Sequence, residues 1–161
     1  MDVYKDSGYL MLGSRLKRLS ERILQDVAAV YKQQNIPFEI TWFPVFFQLD
    51  RRGNMSVTEL SETLRVTHPA IVQMVDKLVG HGLVKSEKDP GDGRKRIVCF
   101  TKKGQRLLEK VKPVWQMLEH IMEGLMQENE HLLNFNETLG ELERALDKKD
   151  ILSRLNKSIT P

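Results

Sequence analysis

Gln73 and Lys77 stand four residues apart, a spacing that puts both on one face of a helix. A glutamine amide can pair bidentately with the edge of an adenine, and a lysine suits a guanine or a phosphate. Thr67, His68 and Pro69 precede them at what reads as a helix start, where free amides and the helix dipole favour a phosphate. A second set of groups follows in Asp92-Gly93-Arg94-Lys95-Arg96. An arginine on a narrow projecting tip can enter a minor groove, and Asp92 is close enough in sequence to brace Arg94 by a charge-assisted hydrogen bond. Other chemistries lack their parts. His68, His81, His120 and His131 are scattered, and the lone Cys99 completes no zinc spacing. Ser56, Ser61 and Ser86 have no histidine base within arguable reach, and no glycine-rich phosphate loop is present. No catalysis, metal or cofactor is expected.

The elements around these residues are legible from periodicity. Leu12, Leu16, Leu19, Ile23, Val27, Val30 and Tyr31 recur at spacings of three and four, predicting an amphipathic helix from about Leu10 to Gln34. Asn35-Ile36-Pro37 ends it, and Thr41 is placed to cap a short helix through Leu49. Ser56-x-x-Glu59 is a capping box that starts a helix with Val57, Leu60 and Leu64 on one face, ending near Arg65. Thr67 is placed to cap the next helix, which Gly80-His81-Gly82 stops. Its wheel puts Ile71, Val72, Val75, Leu78 and Val79 toward a core, and Pro69, Ala70, Gln73 and Lys77 outward. Two short helices joined by so short a turn make a helix-turn-helix. Leu83–Lys88 and Lys95–Thr101 read as strands flanking the turn formers Asp89 to Arg94, a hairpin that forms a wing. A long helical stretch begins at Thr101, with Pro113 expected to kink or break it.

Charge agrees with this placement. The chain of 161 residues carries +3 overall, yet residues 65–106 alone hold 10 Lys/Arg against 4 Asp/Glu. Residues 1–64 balance at zero, and residues 107–161 are net acidic. Excess positive charge over the helix-turn-helix and wing is what a phosphate-facing surface needs. One cysteine allows no internal disulfide, and neither a membrane span nor a signal-peptide core is apparent, so a cytoplasmic protein is expected.

These residues resemble the MarR family of regulators. The resemblance runs through Ser56-Val57-Thr58-Glu59-Leu60-Ser61, His68 to Leu78, Gly82-Leu83-Val84, Asp89-Pro90-Gly91-Asp92-Gly93-Arg94 and Phe100-Thr101-Lys102-Lys103-Gly104. It implies a mainly α fold with a small β-hairpin wing. A winged helix-turn-helix lobe at residues 38–101 would sit with dimerisation helices at 1–36 and 102–161 in a single domain. It also implies a homodimer reading a pseudo-palindromic operator in double-stranded DNA, with Thr67, His68, Pro69, Gln73, Lys77, Asp92, Arg94, Lys95 and Arg96 as the DNA-contacting set. A small aromatic effector bound between the lobe and the dimer helices is implied as well. The chain departs from the family at Arg65, where glycine is usual, and at Gln73, where a basic residue is frequent.

Trp42, Phe43, Phe46 and Phe47 form a dense aromatic cluster, which Tyr9 and Trp115 can approach. Core packing accounts for Phe46 and Phe47. Trp42, Phe43, Tyr9 and Trp115 are the candidates for an effector pocket, on the strength of the resemblance. The alternative function is a winged helix that docks a protein partner without operator binding, whose sign would be an apolar exposed face on the 67–79 helix.

Overall fold

The computed structural model describes residues 7–89, 91–93 and 95–159. A 3₁₀ turn at Gly8–Met11 leads into α1 (Leu12–Gln33), and a second at Ile40–Trp42 leads into α2 (Phe43–Arg52). Then follow β1 (Met55–Ser56), α3 (Val57–Leu64), α4 (His68–Gly80), β2 (Val84–Lys88) and β3 (Arg96–Phe100). The helices α5 (Lys102–Gln127), α6 (Phe135–Lys148) and α7 (Ile151–Ile159) complete the chain, with a 3₁₀ turn at Glu130–Leu132 between α5 and α6.

Three helices end in the same way. Each places one residue in the left-handed region, and the amide after it reaches back five residues to a carbonyl, the Schellman arrangement. Asn35 does this for α1, with Ile36 N–H donating to the Tyr31 carbonyl at 3.0 Å. Gly82 does it for α4, and Leu83 N–H donates to the Leu78 carbonyl at 3.0 Å. Arg65, at φ 52°, does it for α3, and Val66 N–H donates to the Ser61 carbonyl at 3.1 Å. The helix-turn-helix turn therefore closes in the usual geometry although a side chain occupies the glycine position.

The capping box at α3 is present in full. Ser56 N–H donates to Glu59 Oε2 at 2.7 Å, and Glu59 N–H donates to Ser56 Oγ at 3.1 Å. Two other expected caps are not made. Thr67 has N-cap backbone geometry but no side-chain cap bond, and Thr41 lies inside a 3₁₀ turn while α2 begins at Phe43. Pro113 neither breaks nor interrupts α5, which is continuous from Lys102 to Gln127. Val111 and Val114, both buried, anchor that helix on either side of the proline.

The wing is an antiparallel hairpin with Val84 opposite Phe100 and Lys88 opposite Arg96, and β1 pairs with the outer side of β3. Phe46, Leu60, Ile71, Val75, Leu78, Val98 and Val111 are fully buried. Each contributes about 1.5–3 kcal/mol of burial free energy. This core lies in the first of two compact units, residues 1–115. The second unit, residues 116–161, consists of the end of α5 with α6 and α7, and no described residue in it is buried. Leu133, Leu146, Ile151, Leu152 and Leu155 are all exposed there. Among the described residues, no helix is long and apolar enough to cross a membrane, and no group of side chains is arranged to hold a metal ion.

Candidate nucleic-acid interface

Burial of Ile71, Val75 and Leu78 fixes the rotation of α4. With that face inward, His68, Pro69, Gln73 and Lys77 are exposed, and Thr67 is exposed at the helix start. Val72 is half-buried, and Val79 is 40% exposed rather than core-facing. Val79 lies in the last turn of α4, next to buried Leu78, which takes the inward position of that turn. The outward face is small and polar, as close approach to the floor of a groove requires.

The wing starts where α4 stops, and a short network locks that junction. Thr101 Oγ1 donates to the Gly82 carbonyl at 2.6 Å and accepts from Gly104 N–H at 3.0 Å. Thr101 N–H donates to the Leu83 carbonyl at 3.0 Å. A Cβ on Gly104 would land on that same carbonyl oxygen, so the Thr-x-x-Gly spacing is a packing requirement. At the wing tip, Asp89 Oδ1 accepts from Gly91 N–H at 2.7 Å and from Asp92 N–H at 2.8 Å. Lys95 N–H donates to the Asp92 carbonyl at 2.8 Å. Asp89 thus organises the tip, a role that sequence reasoning did not assign. Lys95 is exposed and Asp92 half-buried. Arg94 lies outside the described residues, and with it the proposed Asp92 brace.

Arg96 is exposed on β3, but its guanidinium is already engaged. It meets Asp76 of α4 at 2.9 Å and Ser86 of β2 at 3.1 Å. Asp76 was not singled out from sequence because its partner is set only by the wing folding back onto α4.

The four effector candidates do not come together. Trp42 lines a cavity of about 820 Å³ with Tyr31, Phe38, His81 and Leu83, and Lys32, Lys103, Arg106 and Lys110 supply its positive charge. Glu39 is the single acidic residue of the lining. Trp42 ends the 3₁₀ turn and Phe43 begins α2; Trp42 is buried and Phe43 is 38% exposed. Phe43 packs instead on Trp115 and Phe47, with ring centroids 5.2 and 5.4 Å apart. Trp115 is not in the lining but touches two residues that are: Tyr31, whose hydroxyl accepts from its indole N–H at 2.8 Å, and Phe38, at 6.3 Å between ring centroids. Tyr9 is 91% exposed in the first 3₁₀ turn. Burial pushes the Tyr31 phenol above its ordinary pKa, partly offset by the Trp115 bond. The Trp42 and His81 rings meet at 4.9 Å, tilted by 57°, and the buried Trp42 Nε1 has no hydrogen-bond partner among the described residues. Lys103 Nζ donates to the His81 carbonyl at 2.8 Å, joining the cavity wall to the end of α4. Sequence reasoning missed Lys103, Arg106 and Lys110, whose spacing of three and four is the signal that could have found them as a basic stripe at the start of α5.

This order of helix, turn, helix and hairpin, with a polar outer face on the second helix, defines a winged helix-turn-helix protein. A sequence model of the MarR family matches residues 36–95, which span the loop before α2 to the wing tip. The chain is 28% identical over 116 residues to the transcriptional repressor NicR of Pseudomonas putida KT2440, covering 71% of this chain and 73% of that one. It is also similar to the transcriptional repressor CouR bound to a 23-mer DNA duplex, at 28% identity and a TM-score of 0.64, over 86% of this chain and 95% of that one. A mutant of MarR from E. coli, complexed with operator DNA, shares the fold at a TM-score of 0.67 and 22% identity, over 91% of this chain and 99% of that one. Residues 36–95 thus match the MarR family, and the curated relatives that the chain resembles are named as transcriptional regulators.

Proposed function

We propose that the protein works as a homodimer that reads a pseudo-palindromic operator and releases or retains it according to a small aromatic anion. The observation that carries the DNA reading is the outer face of α4. It shows Gln73 and Lys77, with Thr67, His68 and Pro69 at its start, beside a basic wing. CouR and the MarR mutant, similar in fold, were solved on DNA. In this reading Gln73 and Lys77 address base edges, while the α4 start, Arg94 and Lys95 hold phosphate or the minor groove. Residues 38–101 act as the DNA-binding lobe, and 1–36 with 102–161 as the dimerisation helices. The place of work is the cytoplasm, where the operator would lie.

Dimerisation is supported by apolar faces that a single chain leaves open. Leu19, Ile23 and Leu24 on α1 and Ile151, Leu152 and Leu155 on α7 are all more than a third exposed. The DNA reading is tested by fluorescence-anisotropy titration against duplexes enriched from a random pool, repeated across salt concentrations. An enriched inverted repeat, with affinity falling steeply as salt rises, is the expected result. Flat, weak binding to every duplex would overturn it.

The cavity supports the effector reading. Aromatic walls suit a ring, four cationic side chains suit a carboxylate, and the buried Trp42 N–H is a donor without a partner. A panel of monocyclic aromatic carboxylates is expected to shift operator affinity, and Trp42→Ala is expected to abolish that response. An effector that acts equally on the variant would remove Trp42 from the site.

A further inference from the structure

We infer that Arg96 is a positioning residue rather than a DNA contact: paired with Asp76, it ties the wing to the recognition helix in the orientation that the operator requires. The inference rests on the operator-binding reading above, and it reverses the role that charge alone suggests for Arg96. The guanidinium donates from Nη2 to Asp76 Oδ1 at 2.9 Å and from Nε to Ser86 Oγ at 3.1 Å. One planar group therefore touches α4, β2 and its own strand β3, and two of its donors are committed before any phosphate arrives.

Asp76 sharpens the reading. It lies on the flank of the same helix that carries Gln73 and Lys77, only one residue before Lys77. A carboxylate there would repel the DNA backbone, so on electrostatics alone its removal should tighten binding. Pairing with Arg96 cancels that charge and gives it a geometric use. The two side chains are 57% and 43% exposed, so the pair adds little to overall stability, and its effect is on orientation. Lys88 stands opposite Arg96 in the hairpin register.

A double-mutant cycle separates the alternatives. The proteins are wild type, Asp76→Asn, Arg96→Gln, Arg96→Lys and the Asp76→Asn/Arg96→Gln double variant. Each is titrated by anisotropy against the enriched operator and a random duplex across salt. A brace predicts that each single change weakens operator binding about fivefold and that the double variant is no worse than either, the non-additivity of contacting residues. Arg96→Lys should lose as much as Arg96→Gln, because a single ammonium cannot span Asp76 and Ser86. The slope of log affinity against log salt should stay unchanged. If Arg96 instead neutralises a phosphate, Arg96→Gln lowers that slope by about 0.9, Arg96→Lys retains most of the affinity, and Asp76→Asn tightens binding. That pattern, or additive single effects, would overturn the proposal.

Hydrogen exchange without DNA gives an independent reading. The amides of residues 84–88 and 96–100 should exchange faster, and to the same degree, in both single variants. Unchanged exchange would also overturn the proposal. Failure of the wild-type protein to bind any duplex would count against operator binding itself, and the exchange measurement would still decide the brace.

Discussion

Gly104 shows how far one atom can matter at the residue scale. Its missing Cβ leaves room for the Leu83 carbonyl, which is itself held by Thr101 N–H at 3.0 Å. Phe100 closes the other side, 3.0 Å from where a Cβ would stand. Neither neighbour can yield without loosening the junction between α4 and the wing. Gly104→Ala is therefore expected to destabilise the fold by about 3 kcal/mol or more, at the upper end of overpacking costs. A urea titration that returned the wild-type midpoint at an unchanged slope would remove this account. Asp76, Asp89 and Lys103 likewise depend on particular partners: Arg96, the two wing-tip amides of Gly91 and Asp92, and the His81 carbonyl respectively.

At the scale of elements, the start of α3 makes a prediction about pH. The Glu59 carboxylate accepts from Ser56 N–H, and that bond holds its pKa below the ordinary glutamate value of 4.5. A depressed carboxylate pKa contributes stability that is present above the unfolded-state value and lost as pH falls through the folded-state one. Wild type should therefore lose stability below about pH 4.5 faster than Glu59→Gln, whose amide does not titrate. Parallel acid-unfolding curves for the two proteins would refute the contribution. Asp150 is depressed in the same direction by Ser153 N–H, but it is unaltered in both proteins and cancels in the comparison.

This capping box could be read from sequence because both partners lie within four residues, as could the wing, whose strand ends fall within one residue of those expected. What escaped was set by distant contacts. Thr67 and Thr41 have capping side chains, yet a cap bond also needs a rotamer and backbone angle that the surrounding fold decides. Pro113 costs a helix about 3 kcal/mol in isolation, and buried valines on both sides outweigh it here. The cavity joins residues from α1, the loop and 3₁₀ turn after it, the end of α4 and α5, so only its basic stripe had a local signature. Trp42 and Phe43 were grouped because they are adjacent, yet successive side chains at a helix start point in different directions and meet different surroundings.

For the whole molecule, the open question is what covers its apolar helices. A helix that carries an apolar stripe gains most of its stability by burying it, and short isolated helices are marginal in water. α7 has nine residues, with Ile151 at 73% and Leu152 at 67% exposure. On α1, Ile23 and Leu24 are 43% and 45% exposed, and only Tyr31 of that helix is buried. A second copy of the chain would present the same faces, and a two-fold interface buries matching surfaces on both copies. Ile23→Glu and Leu152→Glu each place a charge where that interface would exclude water, a change that leaves the core of residues 1–115 untouched. Sedimentation equilibrium should then show a monomer for the double variant and a dimer for wild type. Operator affinity should collapse to that of one half-site, because the second recognition helix would no longer be delivered at its fixed spacing. If the double variant still sediments as a dimer, these faces are not the interface. If it is monomeric yet binds the full operator as tightly as wild type, the two half-sites are not read together.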